Sequence, residues 1–287
     1  MARQSSFQGP RLNSGFSLQG PKRACCTWVL WTAVILGLGG CSSSHPASVH
    51  LRQEVHVAAA SNLKHVLDAL VADFHKTHSD VQVKVTYGSS GNFMAQLINH
   101  APYDLFLSAD ADYPTRLERL GLVAPEDQFT YAIGQLVLWV SQDSLLDPTS
   151  QGLSSLADPR VTRIAIANPR HAPYGRAAEA ALSKLGYWEP LQQKLVLGEN
   201  VEQTAHFLHT GAAQAGLLPY SLVLGSSLKD TGRHWLVPRD LYPPLTQNGV
   251  ILTWAKGKAA AYQLRNYLRG EAGRRLFQRY GYLLPKE

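Results

Sequence analysis

Cysteine is nearly absent from this chain of 287 residues: there are three, Cys25, Cys26 and Cys41, and none beyond position 41. That excludes a disulfide framework and a cysteine-ligated metal site in everything that follows. Residues 1–40 contain no aspartate or glutamate, and their apolar stretch, 28–38, falls short of the ~20 residues that a permanent membrane helix needs. No segment repeats at a fixed period, and outside the N-terminal region there is no low-complexity stretch. Stability must therefore come from packing. The chain is 45% hydrophobic, and the about 245 residues from Cys41 onward suit one large or two medium domains.

What stands at the N-terminus reads as an export signal. Lys22 and Arg23 precede the apolar stretch, which closes in Leu38-Gly-Gly-Cys41 followed by three serines. That ending resembles the lipobox of bacterial lipoproteins, in which Cys41 would become the lipidated first residue and 41–53 a polar tether. Ordinary signal cleavage near the same place fits the residues equally. Either way residues 1–40 leave, and with them Arg3, Arg11, Lys22 and Arg23, so the formal net charge falls from +6 by four to +2. A nucleic-acid partner thereby loses its main support.

From residue 54 the chain repeats one pattern: a short apolar run, a turn of small residues, then a longer segment with helical spacing. This is the signature of βα units around a mostly parallel sheet, an α/β fold. Strands are expected at 55–59, 81–87, 104–108, 163–167 and 194–197. The helices that follow are expected at 62–75, after the Gly-Ser-Ser-Gly turn at 88–91, from the cap Asp110 to Gly121, at 174–185 and at 201–209. Residues 131–140 are too long and too β-rich for one buried strand and read as a crossover between lobes, with a return crossover near 245–254. The expected organisation is a first lobe at 54–132, an inserted second lobe at 133–247, and a return to the first lobe at 248–287. Two hinge strands imply a cleft that opens and closes.

In open α/β sheets ligands bind at the carboxyl ends of strands, so the turns there carry the chemistry. They hold Ser61 and Asn62, Ser89 and Ser90, Ala109, Tyr174, and Val201. Most offer hydroxyls and unpaired amides at helix N-termini, which attract anions without a formal positive charge. A tetrahedral dianion has only acceptor oxygens and needs several converging donors. Taken singly, each Ser or Asn is more often only a helix cap.

Together these turns are similar to a known family. Ala-Ala-Ala-Ser61-Asn-Leu, Gly-Ser-Ser90-Gly-Asn, Ala-Pro-Tyr-Asp-Leu-Phe-Leu-Ser-Ala109-Asp, Asn168-Pro-Arg-His-Ala-Pro-Tyr174-Gly and Gly198-Glu-Asn-Val201 resemble, in order, the molybdate-binding proteins of bacterial ABC transporters. The resemblance covers nearly all of residues 54–285. It implies a type II periplasmic-binding-protein fold, with two α/β lobes joined by two crossover strands around a ligand cleft. It further implies a molybdate or tungstate oxyanion held by Ser61, Asn62, Ser90, Ala109, Val201 and a tyrosine. Its partner would be an ABC-transporter permease in the inner membrane, reached from the periplasm. The tyrosine is Tyr174 in one branch; in another it belongs to a later strand end, where this chain has Pro219 and displaces Tyr220 by one, so Tyr174 is favoured. The resemblance implies no cofactor, molybdenum only as the bound oxyanion without side-chain metal ligands, and a monomer.

Plainer readings compete. Arg170 and His171 adjoin the site, but exposed loop cations are usually solvated. Asp104, Asp110 and Asp112 are expected as caps and strand-end partners, since a carboxylate aimed at a dianion repels it. No Arg–Asp pair of the kind that grips an amino acid stands out. Sulfate presents the same demands as molybdate and stays open as the ligand. Ser61-Asn-Leu-Lys64 fits the Ser-x-x-Lys pattern of exported serine hydrolases, but no companion motif follows, so no enzyme is expected.

Overall fold

The structure, a computed structural model, describes residues 53–286; the expected signal, Cys41 and most of the tether lie outside the described residues. Ten strands form two five-stranded sheets. The first contains β1 (Gln53–Ala60), β2 (Val81–Gly88), β3 (Leu105–Ser108), β4 (Gln128–Gly134) and β10 (Leu245–Ile251), in the order β2-β1-β3-β10-β4. The second contains β5 (Leu136–Ser141), β6 (Ile164–Ala167), β7 (Leu195–Gly198), β8 (Ala215–Pro219) and β9 (Gly232–Leu236), in the order β7-β6-β8-β5-β9.

The sheets share one plan. Three parallel strands lead, and the fourth place is taken by an antiparallel strand, β10 in one and β5 in the other. Strands such as β3 and β6 are buried along their whole length because helices cover both faces, which is why they read as unbroken apolar runs. The βα units fall as the pattern predicts: helices Lys64–Phe74, Ser90–Ile98, Asp112–Arg119, Pro173–Lys184 and Val201–His209 each follow a parallel strand. Gly121, Gly186 and Gly211 end three of them with φ of 73°, 75° and 71°, a region that favours glycine.

The crossovers differ from expectation. Residues 131–140 are not one strand but the end of β4 and most of β5, parted at Gln135. Gly134 still pairs with Leu245 in the first sheet, whereas Leu136 pairs with Pro219 in the second, so the chain changes sheet within two residues. The Gln135 carbonyl accepts the Tyr220 amide at 2.9 Å and its side chain donates to the Gly281 carbonyl at 2.8 Å. The return is also displaced: β10 lies wholly in the first sheet, and residues 237–244 make the crossing. That stretch contains Pro238, Pro243 and Pro244, which lack the amides a ladder needs. Residues 133–134 and 245–247, expected in the second lobe, thus pair in the first.

Candidate functional site

β1 runs directly into a 3₁₀ turn, Ser61–Leu63, and β3 into Ala109; β2 reaches Ser90 through the capping residue Ser89. From the other lobe, helix Pro173–Lys184 begins with Tyr174 in its first turn and helix Val201–His209 with Val201. Ala60, Ala109, Ala172, Tyr174 and Val201 share one buried cluster that spans both lobes. The turn Ser61–Leu63 packs against the helix that Val201 opens, and the Ala109 amide donates to Ser90 Oγ at 3.0 Å. Exposure is 1% for Ser61, Asn62 and Ser90, 2% for Ala109 and Tyr174, and 5% for Val201. All six residues singled out in the sequence therefore face inward at one junction.

Capping decides which donors stay available there. Asn200 Oδ1 accepts the amides of Glu202 at 2.9 Å and Gln203 at 3.0 Å, leaving the first helical amide, Val201, outside the cap. In the other lobe Ser89 Oγ accepts the Asn92 amide at 3.3 Å and the Gly91 amide donates to the His171 carbonyl at 2.9 Å. The amide left over is again the first, Ser90. First-turn amides have no carbonyl within their own helix, and the helix dipole makes them electropositive. The hydroxyls behave differently from one another: Ser61 Oγ gives its hydrogen to the Gly88 carbonyl at 3.0 Å, while Ser90 Oγ accepts from Ala109 and keeps its own hydrogen to give. The Ala109 amide, expected to face a ligand, is spent on Ser90.

Beneath these donors lies a polar knot that the sequence did not reveal. Asn62 Nδ2 donates to Gln247 Oε1 and to the Tyr282 hydroxyl, both at 2.8 Å; Tyr282 donates to the Asn62 carbonyl at 2.8 Å, as does Ser221 from the second lobe at 2.9 Å. Asn62 thus spends its side-chain donors within the protein, and its Oδ1 has no partner. The Tyr174 hydroxyl, fully buried, also lacks one; the Asn62 carboxamide lies against it. Burial first, then the neighbouring tyrosines, pushes its pKa well above the usual phenol value, so it stays protonated and can donate. Tyr220 sits apart, half-buried, with its ring 5.1 Å from that of His234.

The lobes are tied across the mouth of the junction. Besides Gly91 to His171, Asn92 Nδ2 donates to Glu199 Oε1 at 2.5 Å, and Arg176 pairs with Asp110 while donating to the Tyr113 hydroxyl at 3.0 Å. The Asp110–Arg176 pair joins the two lobes, its charges spent on each other rather than set to grip an amino acid. Asp110 does act as a cap, accepting the Tyr113 amide at 3.2 Å, and its charge is met by Arg176 rather than aimed into the junction. Asp104 is the expected strand-end partner, accepting the His56 amide at 2.9 Å and Lys258 Nζ at 2.7 Å. Arg170 is exposed. Lys64 is bound to Asp68 at 3.1 Å and lies over the Tyr87 ring, so its ammonium is engaged with groups other than Ser61.

This geometry has relatives. The family of bacterial extracellular solute-binding proteins matches residues 55–283. The chain belongs to that family. The solute-binding protein described here is 38% identical to the molybdate-binding protein ModA of Azotobacter vinelandii, over 80% of this chain and 89% of that protein. It is 36% identical to ModA of Rhodobacter capsulatus, over 80% of this chain and 88% of the relative. The solved periplasmic molybdate-binding protein of Azotobacter vinelandii superposes with a TM-score of 0.76 at 35% identity, covering 81% of this chain and all of the other. The two-lobed α/β layout of this solute-binding protein is thus the periplasmic-binding-protein fold.

Proposed function

We propose that the junction between the lobes binds molybdate or tungstate in the periplasm and delivers it to the permease of an ABC importer, without catalysis. The observation that carries this reading is the Tyr174 hydroxyl, buried, protonated and unpartnered, in the buried cluster it shares with Val201. The leftover first amides of two helices, Ser90 and Val201, add further donors. A tetrahedral dianion answers that arrangement because it has acceptors only. The Ser90 hydroxyl hydrogen adds a donor of the same kind. The Asp110 carboxylate is compensated, held by Arg176. The names of the two relatives support the choice of oxyanion. The roles of Ser61, Asn62 and Ala109 are structural as much as ligating: they place the turns from which the leftover donors point.

Calorimetric titration of the purified mature chain with molybdate, tungstate, sulfate and phosphate tests this. Molybdate and tungstate are expected to bind with similar affinity and phosphate to be rejected. Tighter phosphate than molybdate binding overturns the reading. Tighter sulfate binding keeps the fold and the donors but changes the cargo. We also propose that Cys41 is lipidated and that residues 41–53 tether the domain to the membrane; Cys41→Ala is expected to abolish incorporation of labelled fatty acid and release the protein.

A further inference from the structure

We infer that Gln247 is a positioning residue of the oxyanion site, fixing the polarity and placement of the Asn62 and Ala109 turns from the strand that returns from the second lobe. The inference rests on the binding function proposed above. Gln247 is fully buried and sits where the β10–β4 register slips, between Gln247 and Asn248. From that bulge its side chain reaches both the Asn62 and the Ala109 turns.

Its carboxamide can adopt one orientation. Nε2 faces two backbone carbonyls, Ala109 at 3.0 Å and Leu245 at 2.9 Å, and a carbonyl only accepts, so the nitrogen must point there. Oε1 is then left for Asn62 Nδ2 at 2.8 Å. This forces the Asn62 carboxamide in turn to present nitrogen to Gln247 and Tyr282, leaving its Oδ1 unpartnered. One side chain therefore sets the hydrogen-bond direction of the Asn62 turn and ties it, together with the Ala109 turn, to β10. It also borders the ligand-facing hydroxyl: a Cβ built on Gly134 would lie 2.1 Å from the Tyr174 oxygen and 3.0 Å from Gln247 Nε2.

Gln247→Glu tests this, because an ionised carboxylate cannot donate to the Ala109 and Leu245 carbonyls, whereas a protonated one can donate to one of them while still accepting from Asn62. Burial raises the pKa of a glutamate, so the switch falls between about pH 5 and about pH 8. Tyr174 lies beside Gln247 at Gly134, and Tyr282, Tyr242 and Tyr131 act on Tyr174 in turn; burial raises all four, so none ionises in this range. Asp110, paired with Arg176, is common to the wild type, which serves as control.

At pH 8 molybdate affinity is expected to fall on the order of 10- to 100-fold, recovering toward wild type at pH 5. The neutral Gln247→Met should lose affinity at both pH values without recovery. Amide exchange should quicken at residues 61–63 and 109–110 in both variants at pH 8, with helix Lys64–Phe74 unchanged. Equal affinities, or a loss in Gln247→Glu that ignores pH, overturns the inference. If wild type binds none of the oxyanions, the proposed function fails on its own, and the exchange pattern still decides whether Gln247 holds the two turns. Should Gln247→Glu not fold at pH 8, the methionine variant carries both readouts.

Discussion

Gly134 leaves the space that the Tyr174 hydroxyl fills: a Cβ on Gly134 would stand 2.1 Å from that oxygen. The two residues belong to different lobes, and Gly134 is the last residue of β4 before the chain changes sheet. A glycine is required here by close approach across the hinge rather than by a left-handed backbone.

Gly134→Ala is accordingly expected to push the Tyr174 ring out of place. Overpacking of a buried site costs about 1–3 kcal/mol, and the displaced hydroxyl no longer meets the ligand. Thermal melts should show the loss of stability and calorimetry a weakened oxyanion affinity. Unchanged affinity would separate Tyr174 from the binding site.

Ser90→Ala removes a hydroxyl that both accepts the buried Ala109 amide and offers its hydrogen onward. Two losses follow. The orphaned amide should lower stability by about 1–3 kcal/mol, and the missing donor to a charged acceptor should weaken oxyanion binding by ~1.5–3 kcal/mol. A variant that loses stability but binds as before would confine Ser90 to holding the Ala109 turn.

The sequence made the βα units legible because each apolar run and each helical face obeys its own period, and the turns legible because helix starts need caps whatever the ligand. It exposed for that reason the turns that carry Ser61, Asn62, Ser90, Ala109, Tyr174 and Val201, while the choice of these six within the turns came from the family resemblance. The knot beneath them was not legible: Gln247 meets Asn62 across 185 residues, and Tyr282 meets it across 220. A polar residue in a strand-like run such as Leu245–Ile251 signals nothing until its partners are in place. The Asp110–Arg176 pair hid for the same reason, being formed only when the lobes meet. The crossover at 131–140 falls where the sequence put it, but as two strands rather than one, because a continuous β-rich run carries no mark at the point where its partner sheet changes.

The Asp110–Arg176 pair bears on closure. Burial raises the Asp110 pKa and Arg176 opposes that rise. Removing the cation in Arg176→Ala should raise it further, so an ionised Asp110 then weighs against the closed fold. Stability of the variant should fall as pH rises through that raised pKa and recover as pH falls. Arg176 is 36% exposed, which keeps the neutral-pH loss to about 1–3 kcal/mol, below the ~3–5 kcal/mol for a fully buried pair. Adding Asp110→Asn should restore most of it, and pH-dependent melts of the single and double variants check both signs.

His65 supplies a pH dependence of opposite sign. It lies on helix Lys64–Phe74 against Gly225 of the other lobe, where a Cβ on that glycine would be 2.5 Å from the His65 Cβ. Burial, then Lys64, lowers its pKa from 6.5. The unfolded chain therefore binds its proton more readily than the folded one. Stability is fully present above pH 6.5 and declines as pH falls through 6.5 toward the depressed value. His234, lowered by burial, adds to the same slope. Melting temperatures measured from neutral to mildly acidic pH should fall, and His65→Asn should flatten part of the decline.

Tyr174→Phe separates ligand chemistry from architecture. The hydroxyl it deletes is buried without a partner, a state that costs the folded protein free energy. Its removal should leave the melting temperature of the ligand-free protein unchanged or slightly raised, since the ring keeps its packing among the cluster that joins the lobes. Molybdate binding should nevertheless weaken by ~1.5–3 kcal/mol, because a donor to a charged acceptor is gone. If stability drops while affinity holds, the hydroxyl serves the fold, and the donor from the second lobe must be sought at Val201 and its helix alone.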